Sequence, residues 1–304
     1  AIRRKRAMLP LRPPLIVHHM AALDGHAAPP NSLEAIRASL DADAAFIELD
    51  VTALAADDYL LVHDLDLKSE TSGVGAVADC TADAARQLVY RFPQPYRVPL
   101  LSDVVALFQE HPGRARLQLD FKNVLPFPDD EPYLRLLRLI EPLGERVIVS
   151  TNADWQLRRL RQLAPWLDLG LDIHFYIDWQ PEYEARDPLE YPRQRGAYDY
   201  SDDHPLAAWR VGSVRRYLAD RCEMLMGLVS DISTFYISHP FLAQSLDDDF
   251  NWAEALHQRG IRCDAWTLDV GSPTAEANAL RLLAAGVDQF TSNTPLALAR
   301  LLAR

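Results

Sequence analysis

The run Phe46-Ile47-Glu48-Leu49-Asp50-Val51 puts two carboxylates two residues apart in an otherwise apolar stretch. Its apolar and β-branched neighbours predict a buried strand. Residues i and i+2 of a strand share a side, so Glu48 and Asp50 face one interior space. Two like charges there repel and lose hydration. A divalent cation removes both costs, and oxygen ligands select a hard ion, Mg²⁺ or Ca²⁺.

The pattern recurs in Gln118-Leu119-Asp120-Phe121-Lys122. Asp120 offers a third oxygen ligand, and Lys122 can meet an anionic substrate beside it. The alternative is an ion pair from Lys122 to Asp120 or Glu48 with no metal. His18 and His63 complete the set as candidate general acid and base. Asp64 follows His63, and strand alternation would send the two side chains to opposite faces. Asp64 is therefore expected to bond loop backbone rather than orient the His63 ring. A metal, a lysine and two histidines suit phosphodiester cleavage, the cation and Lys122 neutralising the phosphoryl oxygens. One histidine would take the proton of the attacking hydroxyl and the other would protonate the leaving alkoxide. No Gly-x-Ser-x-Gly elbow and no Walker loop occurs, which excludes those nucleophile and nucleotide signatures.

Strand candidates alternate with helical patterns along the chain. They are Leu15–His18, the Glu48/Asp50 strand, Arg116–Phe121, Arg146–Ser150, Leu169–Ile173, Thr234–Ser238, Arg262–Leu268 and Val287–Thr291. Tyr59–His63 reads as a hairpin arm. Asn31, with Glu34 in capping-box spacing, predicts a helix running to about Leu40. Further helices are predicted over Trp155–Leu163 and 275–285. The alternation predicts an α/β fold, a (β/α)₈ TIM barrel, in one domain over 15–304 behind a basic extension at 1–14. Two insertions interrupt it: a loop-rich one at about 64–98, and a tyrosine-rich one at about 176–212 with the length of a lid or binding loop. In such barrels functional groups collect at the C-terminal strand ends. His18, Glu48, Asp50, Asp120, Lys122 and Trp266 all occupy that position.

Charge bounds the partners. With 31 basic against 43 acidic residues the net charge is -12, the opposite of a nucleic-acid footprint. No run reaches the roughly 18 apolar residues of a transmembrane helix. Arg3-Arg4-Lys5-Arg6 offers peripheral contact with anionic lipid headgroups, against the commoner reading of a solvated tail. No apolar h-region follows it, so it is not an intact signal peptide. The chain opens at Ala1, leaving two expectations for location: cytoplasmic, or periplasmic or secreted if a leader was removed. Cys80, Cys222 and Cys263 match no zinc or redox spacing and give no disulfide framework, which leaves room for one bridge at most.

At these residues the sequence resembles the glycerophosphodiester phosphodiesterase family and its sphingomyelinase D-like phospholipase relatives, over about 15–300. His18-His19-Met20 stands at the family's His-Arg-Gly strand end, and Pro29-Pro30-Asn31-Ser32-Leu33 at its Pro-Glu-Asn-Thr-Leu segment. Ile47-Glu48-Leu49-Asp50 and Val62-His63-Asp64 match family motifs directly. Thr71-Ser72-Gly73-Val74-Gly75 is similar to its Thr-x-Gly-x-Gly loop, Asp120-Phe121-Lys122 to its Glu-x-Lys, and Trp266-Thr267-Leu268 to its Trp-Thr-Val strand. Gly286-Val287-Asp288 and Asn293-Thr294-Pro295 resemble the closing strand. The resemblance implies metal binding by Glu48, Asp50 and Asp120, acid–base roles for His18 and His63, and a phosphate contact from Lys122. It also implies that Trp266 lines the substrate site; barrel packing is the plainer role for such an aromatic.

The departures are informative. His19 stands where the family has a phosphate-binding Arg, and Pro30 where it has Glu, so phosphate holding falls to His19 or the substrate differs. His18-His19-Met20 is also similar to the phospholipase branch's Gly-His-Met. Asp120, Asp269 and Asn293 lean the same way; the His63-Asp64 arm and the insertion after it lean toward the glycerophosphodiesterases. The reading is a metal-dependent phosphodiesterase acting on a glycerophosphodiester or a related small phosphodiester through a cyclic phosphate, with one Mg²⁺ or Ca²⁺. The alternatives are a lyase that releases the cyclic phosphate from a lysophospholipid or sphingolipid, and a barrel that binds phosphodiesters without turnover. A glycosidase using Glu48 and Asp50 is disfavoured, because a carboxylate pair must flank the sugar bond.

Overall fold

The computed structural model describes residues 14–25, 27–179, 195–202 and 204–303. The predicted basic extension, Pro14 apart, lies outside the described residues, as do Tyr183 and Tyr191. Eight parallel strands form the barrel: β1 (Leu15–His18), β2 (Phe46–Ala53), β3 (Arg116–Phe121), β4 (Val147–Thr151), β5 (Asp168–Asp172), β6 (Thr234–Ser238), β7 (Arg262–Trp266) and β8 (Gln289–Ser292). Each pairs with the next, and β8 closes on β1 through Val17 opposite Thr291. The long helices α1 (Leu33–Asp41), α2 (Leu101–Glu110), α3 (Glu131–Ile140), α4 (Asp154–Leu163), α5 (Val214–Met226), α6 (His239–Asp247), α7 (Pro273–Ala285) and α8 (Pro295–Leu302) follow their strands in order. This is the predicted (β/α)₈ barrel.

Strand alternation divides the core in two. Ile47, Leu49 and Val51 of β2 and Leu117 and Leu119 of β3 pack outward with helix residues such as Ile36, Phe108 and Leu136. Val17, Phe46 and Ile148 form a separate apolar cluster inside the barrel. Glu48 and Asp50 share parity with Phe46 and so point inward, as the sequence spacing predicts. Gly170 of β5 leaves room for the Tyr236 ring, since a Cβ there would lie 2.3 Å from Tyr236 Cε2.

The interior also holds a buried acid. Tyr236, Asp264 and Gln289 lie side by side in register on β6, β7 and β8. Asp264 is fully buried and accepts the Thr291 hydroxyl at 3.0 Å. Burial first, and then the Asp172 carboxylate, push its carboxyl up to about 8 against the hydrogen bonds it accepts. The folded state therefore keeps a proton that the unfolded chain loses near pH 4, so stability falls as pH rises from about 4 to about 8. Asp264→Asn is expected to remove most of a loss on the order of a few kcal/mol. Denaturant midpoints of both proteins at pH 5 and pH 8 measure it, and equal slopes would contradict it.

Four local readings change. Asn31 does not open α1: Ser32 is the cap, its hydroxyl accepting the Ala35 amide. Asn31 adopts a left-handed φ of 62° and turns its side chain to Asp50 instead, a conformation Asn tolerates better than most residues. The hairpin arm is only Tyr59–Leu60, antiparallel to β2, so His63 lies beyond the strand. The insertion at 64–98 is a small lobe with its own core of Leu67, Val77, Leu88, Tyr90 and Val98. In the second insertion Tyr198 stacks on Tyr217 at 4.4 Å, and Tyr200 donates to Asp248 at 2.7 Å. These buried tyrosines anchor the segment to α5 and α6 and do not line the cleft described next. All three cysteines are free thiols.

Candidate active site

A cleft of about 540 Å³ opens at the C-terminal end of the barrel. His19, Glu48, His63, Asp120, Lys122 and Trp266 line it, with Ser150, Asn152, Asp172, His174, Phe175 and Tyr236 completing the walls. The C-terminal ends of the strands deliver these groups because each inward residue there meets open space instead of the next side-chain layer.

Glu48, Asp50 and Asp120 each present an oxygen within 4.8 Å of the others. Asp50 is held by the Asn31 amide, which donates to Oδ2 at 2.9 Å while accepting the Asp50 N–H at 3.1 Å. The Met20 N–H donates to Glu48 Oε2 at 2.8 Å. Lys122 Nζ lies 2.9 Å from Asp50 Oδ1 and 2.5 Å from Asp120 Oδ2. The ion pair foreseen as an alternative thus exists, with Asp50 rather than Glu48 as its second partner. It does not balance the charge, since three carboxylates face one ammonium. Burial, then repulsion from Asp50 and Asp120, push the Glu48 carboxyl well above its ordinary value. Burial works the same way on Asp50, but Lys122, His63, His19 and the Asn31 amide outweigh it and hold that carboxyl low. Burial opposes the charge on Lys122, yet Asp120, Asp50 and Glu48 raise its ammonium well above the ordinary value. An all-oxygen set with one carboxylate too costly to ionise fits a hard divalent cation.

The two neighbouring histidines divide. Val17 points into the barrel, so His18 points out, into the wall against α1. It is 4% exposed, and its Nδ1 donates to Ser39 Oγ at 3.1 Å while that hydroxyl donates to the Ala21 carbonyl. Burial pushes its imidazole down to about 4, so it is neutral and without access to the cleft. The acid–base role expected of His18 is therefore corrected: the same alternation that aims Glu48 inward aims His18 outward. His19, expected only as a phosphate contact, enters the cleft, with Nε2 3.9 Å from Glu48 Oε2. Its Nδ1 meets Asn293 Oδ1 at 2.9 Å. The Asn293 amide nitrogen donates to Asp269 Oδ2 at 3.0 Å, and the Asn293 backbone N–H donates to Asp269 Oδ1 at 2.7 Å. With the amide so oriented, Oδ1 accepts the Nδ1 proton, so in the neutral imidazole the lone pair is on Nε2. Asp269 and Asn293 were visible in the sequence only as departures; their pairing across β7 and β8 is a tertiary fact.

His63 reaches the cleft from the loop after β2. Its Nδ1 meets Asp64 Oδ1 at 2.8 Å, contrary to the expectation that Asp64 would ignore the ring. The reason is that the pair lies outside the strand, where period-2 alternation no longer applies. That bond, more than burial can oppose, holds the Asp64 carboxyl below its ordinary value. Trp266 stands at the cleft wall, edge-on to His174 at 5.8 Å, and its buried Nε1 has no hydrogen-bond partner among the described residues.

The profile of the glycerophosphoryl diester phosphodiesterase family matches residues 24–297. The chain belongs to that family. A glycerophosphodiester phosphodiesterase of Caldanaerobacter subterraneus subsp. tengcongensis is 27% identical over 164 residues, covering 52% of this chain and 65% of that relative. The match thus spans just under two thirds of the curated relative. Among solved structures, a candidate glycerophosphodiester phosphodiesterase from Galdieria sulphuraria has a TM-score of 0.69 at 18% identity, covering 96% of this chain and 98% of the other. A phosphodiesterase from Oleispira antarctica, solved with the product sn-glycerol-3-phosphate, has a TM-score of 0.62 at 16% identity, covering 96% and 97%. At these identities the likeness establishes a shared barrel. Membership in the glycerophosphoryl diester phosphodiesterase family rests on the profile match.

Proposed function

We propose that this family member is a metal-dependent phosphodiesterase that cleaves glycerophosphodiesters or related small phosphodiesters with His19 and His63 as its acid–base pair. The observation that carries the reading is the placing of two imidazoles in one cleft with a Glu48/Asp50/Asp120 carboxylate cluster and the Lys122 ammonium. Glu48, Asp50 and Asp120 would hold a single Mg²⁺ or Ca²⁺, which when bound supplies positive charge against the phosphoryl oxygens. Lys122 adds a second positive charge on the same side. His19 Nε2, its tautomer set by Asn293, suits the group that removes a proton from a hydroxyl of the substrate. His63, backed by Asp64, suits the group that protonates the departing alkoxide. Attack by the substrate's own neighbouring hydroxyl is favoured by proximity and leaves a cyclic phosphate, which water then opens. Trp266, His174 and Phe175 form an aromatic wall for the alcohol portion.

Phosphorus NMR of glycerophosphocholine and lysophosphatidylcholine, with and without EDTA and added Mg²⁺, tests the reading. The expected result is a phosphomonoester that forms with Mg²⁺ and not with EDTA. A cyclic phosphate that accumulates unopened identifies a lyase instead. Turnover unaffected by EDTA contradicts the metal assignment, and no turnover of either compound contradicts the substrate assignment.

A further inference from the structure

We propose that Glu70, in the lobe after β2, is a positioning residue that holds the loop carrying His63 in register with the cleft. The inference rests on the acid–base role of His63 given above. His63 and Asp64 side chains are 57% and 48% exposed. A pair so open to water contributes little ordering of its own. The geometry assigns the ordering to the backbone. Glu70 Oε1 accepts the His63 N–H at 3.0 Å and the Asp64 N–H at 2.9 Å, while Oε2 lies 3.2 Å from the His63 nitrogen. One carboxylate thus ties down both residues of the dyad through their backbone N–H groups.

Glu70 is itself held from behind. It ends a short helix, Leu67–Glu70, whose Leu67 carbonyl accepts the buried Thr71 hydroxyl at 2.6 Å. The Arg91 N–H donates to the Glu70 carbonyl at 2.7 Å. A second tie lies two residues upstream of His63, where the buried Tyr90 hydroxyl donates to the Leu61 carbonyl at 2.7 Å. Both ties come from the lobe at 64–98, and they bracket Leu61–Asp64, the exit from the Tyr59–Leu60 arm. The lobe thereby becomes the support of His63. Burial pushes the Glu70 carboxyl up, and the two amides that it accepts oppose that cost.

Glu70→Ala, Glu70→Gln, His63→Ala and Leu88→Ala are compared with the unaltered protein for kcat, KM and Tm, using glycerophosphocholine and saturating Mg²⁺. Leu88 belongs to the lobe core and serves as the control for plain destabilisation. Glu70→Ala is expected to lower kcat by about 30- to 100-fold, with KM changed by less than about threefold, because misplacing a reacting group costs rate more than binding. Glu70→Gln keeps an oxygen that can accept both amides and is expected to recover kcat to within about fivefold. Leu88→Ala loosens the lobe without removing either tie and is expected to lower Tm while lowering kcat by less than about threefold; a kcat loss equal to that of Glu70→Ala overturns the specific role of Glu70. A Glu70→Ala protein with unchanged kcat, beside an inactive His63→Ala, overturns the positioning role and leaves the acid–base reading standing. Equal losses in Glu70→Ala and Glu70→Gln also overturn it, since charge rather than backbone pinning would then matter. Full turnover by His63→Ala overturns both.

Discussion

Replacing His19 with alanine is expected to lower kcat by about 10²- to 10⁴-fold, the usual range for losing a positioned acid–base group, whereas replacing His18 with alanine is expected to leave kcat of the folded protein nearly unchanged. His19 Nε2 faces the cleft beside Glu48, while His18 is enclosed between β1 and α1 and bonded to Ser39. The His18 change has a different cost. It opens a cavity and strands the Ser39 hydroxyl oxygen, so a stability loss of about 1–3 kcal/mol is expected. Steady-state kinetics and thermal melts of the two variants separate the roles. A His19→Ala protein with unaltered turnover, or a folded His18→Ala protein without any, reverses the assignment.

Glu48→Gln is expected to move activity and stability in opposite directions. Burial and two neighbouring carboxylates make the Glu48 charge costly in the absence of a cation. The neutral amide keeps the shape and can still accept the Met20 N–H. The metal-free protein should therefore gain on the order of 1–3 kcal/mol, as buried charges give way to neutral isosteres. With Mg²⁺ present the same change should lower turnover by more than about 100-fold, since even the outer hydrogen-bond partners of metal ligands are worth 10- to 100-fold. It should also abolish the rise in Tm expected of Mg²⁺ in the unaltered protein if the ion binds the folded state alone. Thermal melts in EDTA and in Mg²⁺, with kinetics alongside, give all three quantities. A metal-free Glu48→Gln protein less stable than its parent contradicts the repulsion argument, and a retained Mg²⁺ shift contradicts the ligand assignment.

Residues that act through local periodicity were legible in the chain. Glu48 and Asp50 could be aimed inward from two-residue spacing alone, because a pleated strand admits only two faces and the apolar neighbours claim the outer one. Repeated strand–helix units likewise specified a parallel barrel, since parallel strands need a crossover and the helices provide it. The strand carrying Asp120 and the one opening at Thr234 matched the structure at both ends.

Other features depended on where strand geometry stops and on contacts distant in sequence. His18 and His19 are equally plausible by residue type, and only the inward position of Val17 against Phe46 decides between them. Asp64 reaches the His63 ring because the strand has already ended at Leu60. Asn31 looked like a helix cap because its chemistry suits one; its pairing with Asp50, nineteen residues on, drew it away. The Asn293–Asp269 link that sets the His19 tautomer joins the ends of two strands that meet only when the barrel closes. The sequence by itself determined the fold and the carboxylate cluster, since both follow from repeating local geometry. Which imidazoles enter the cleft, and what holds them, was decided by the tertiary structure, since a hydrogen bond between remote groups leaves no periodic trace in the chain.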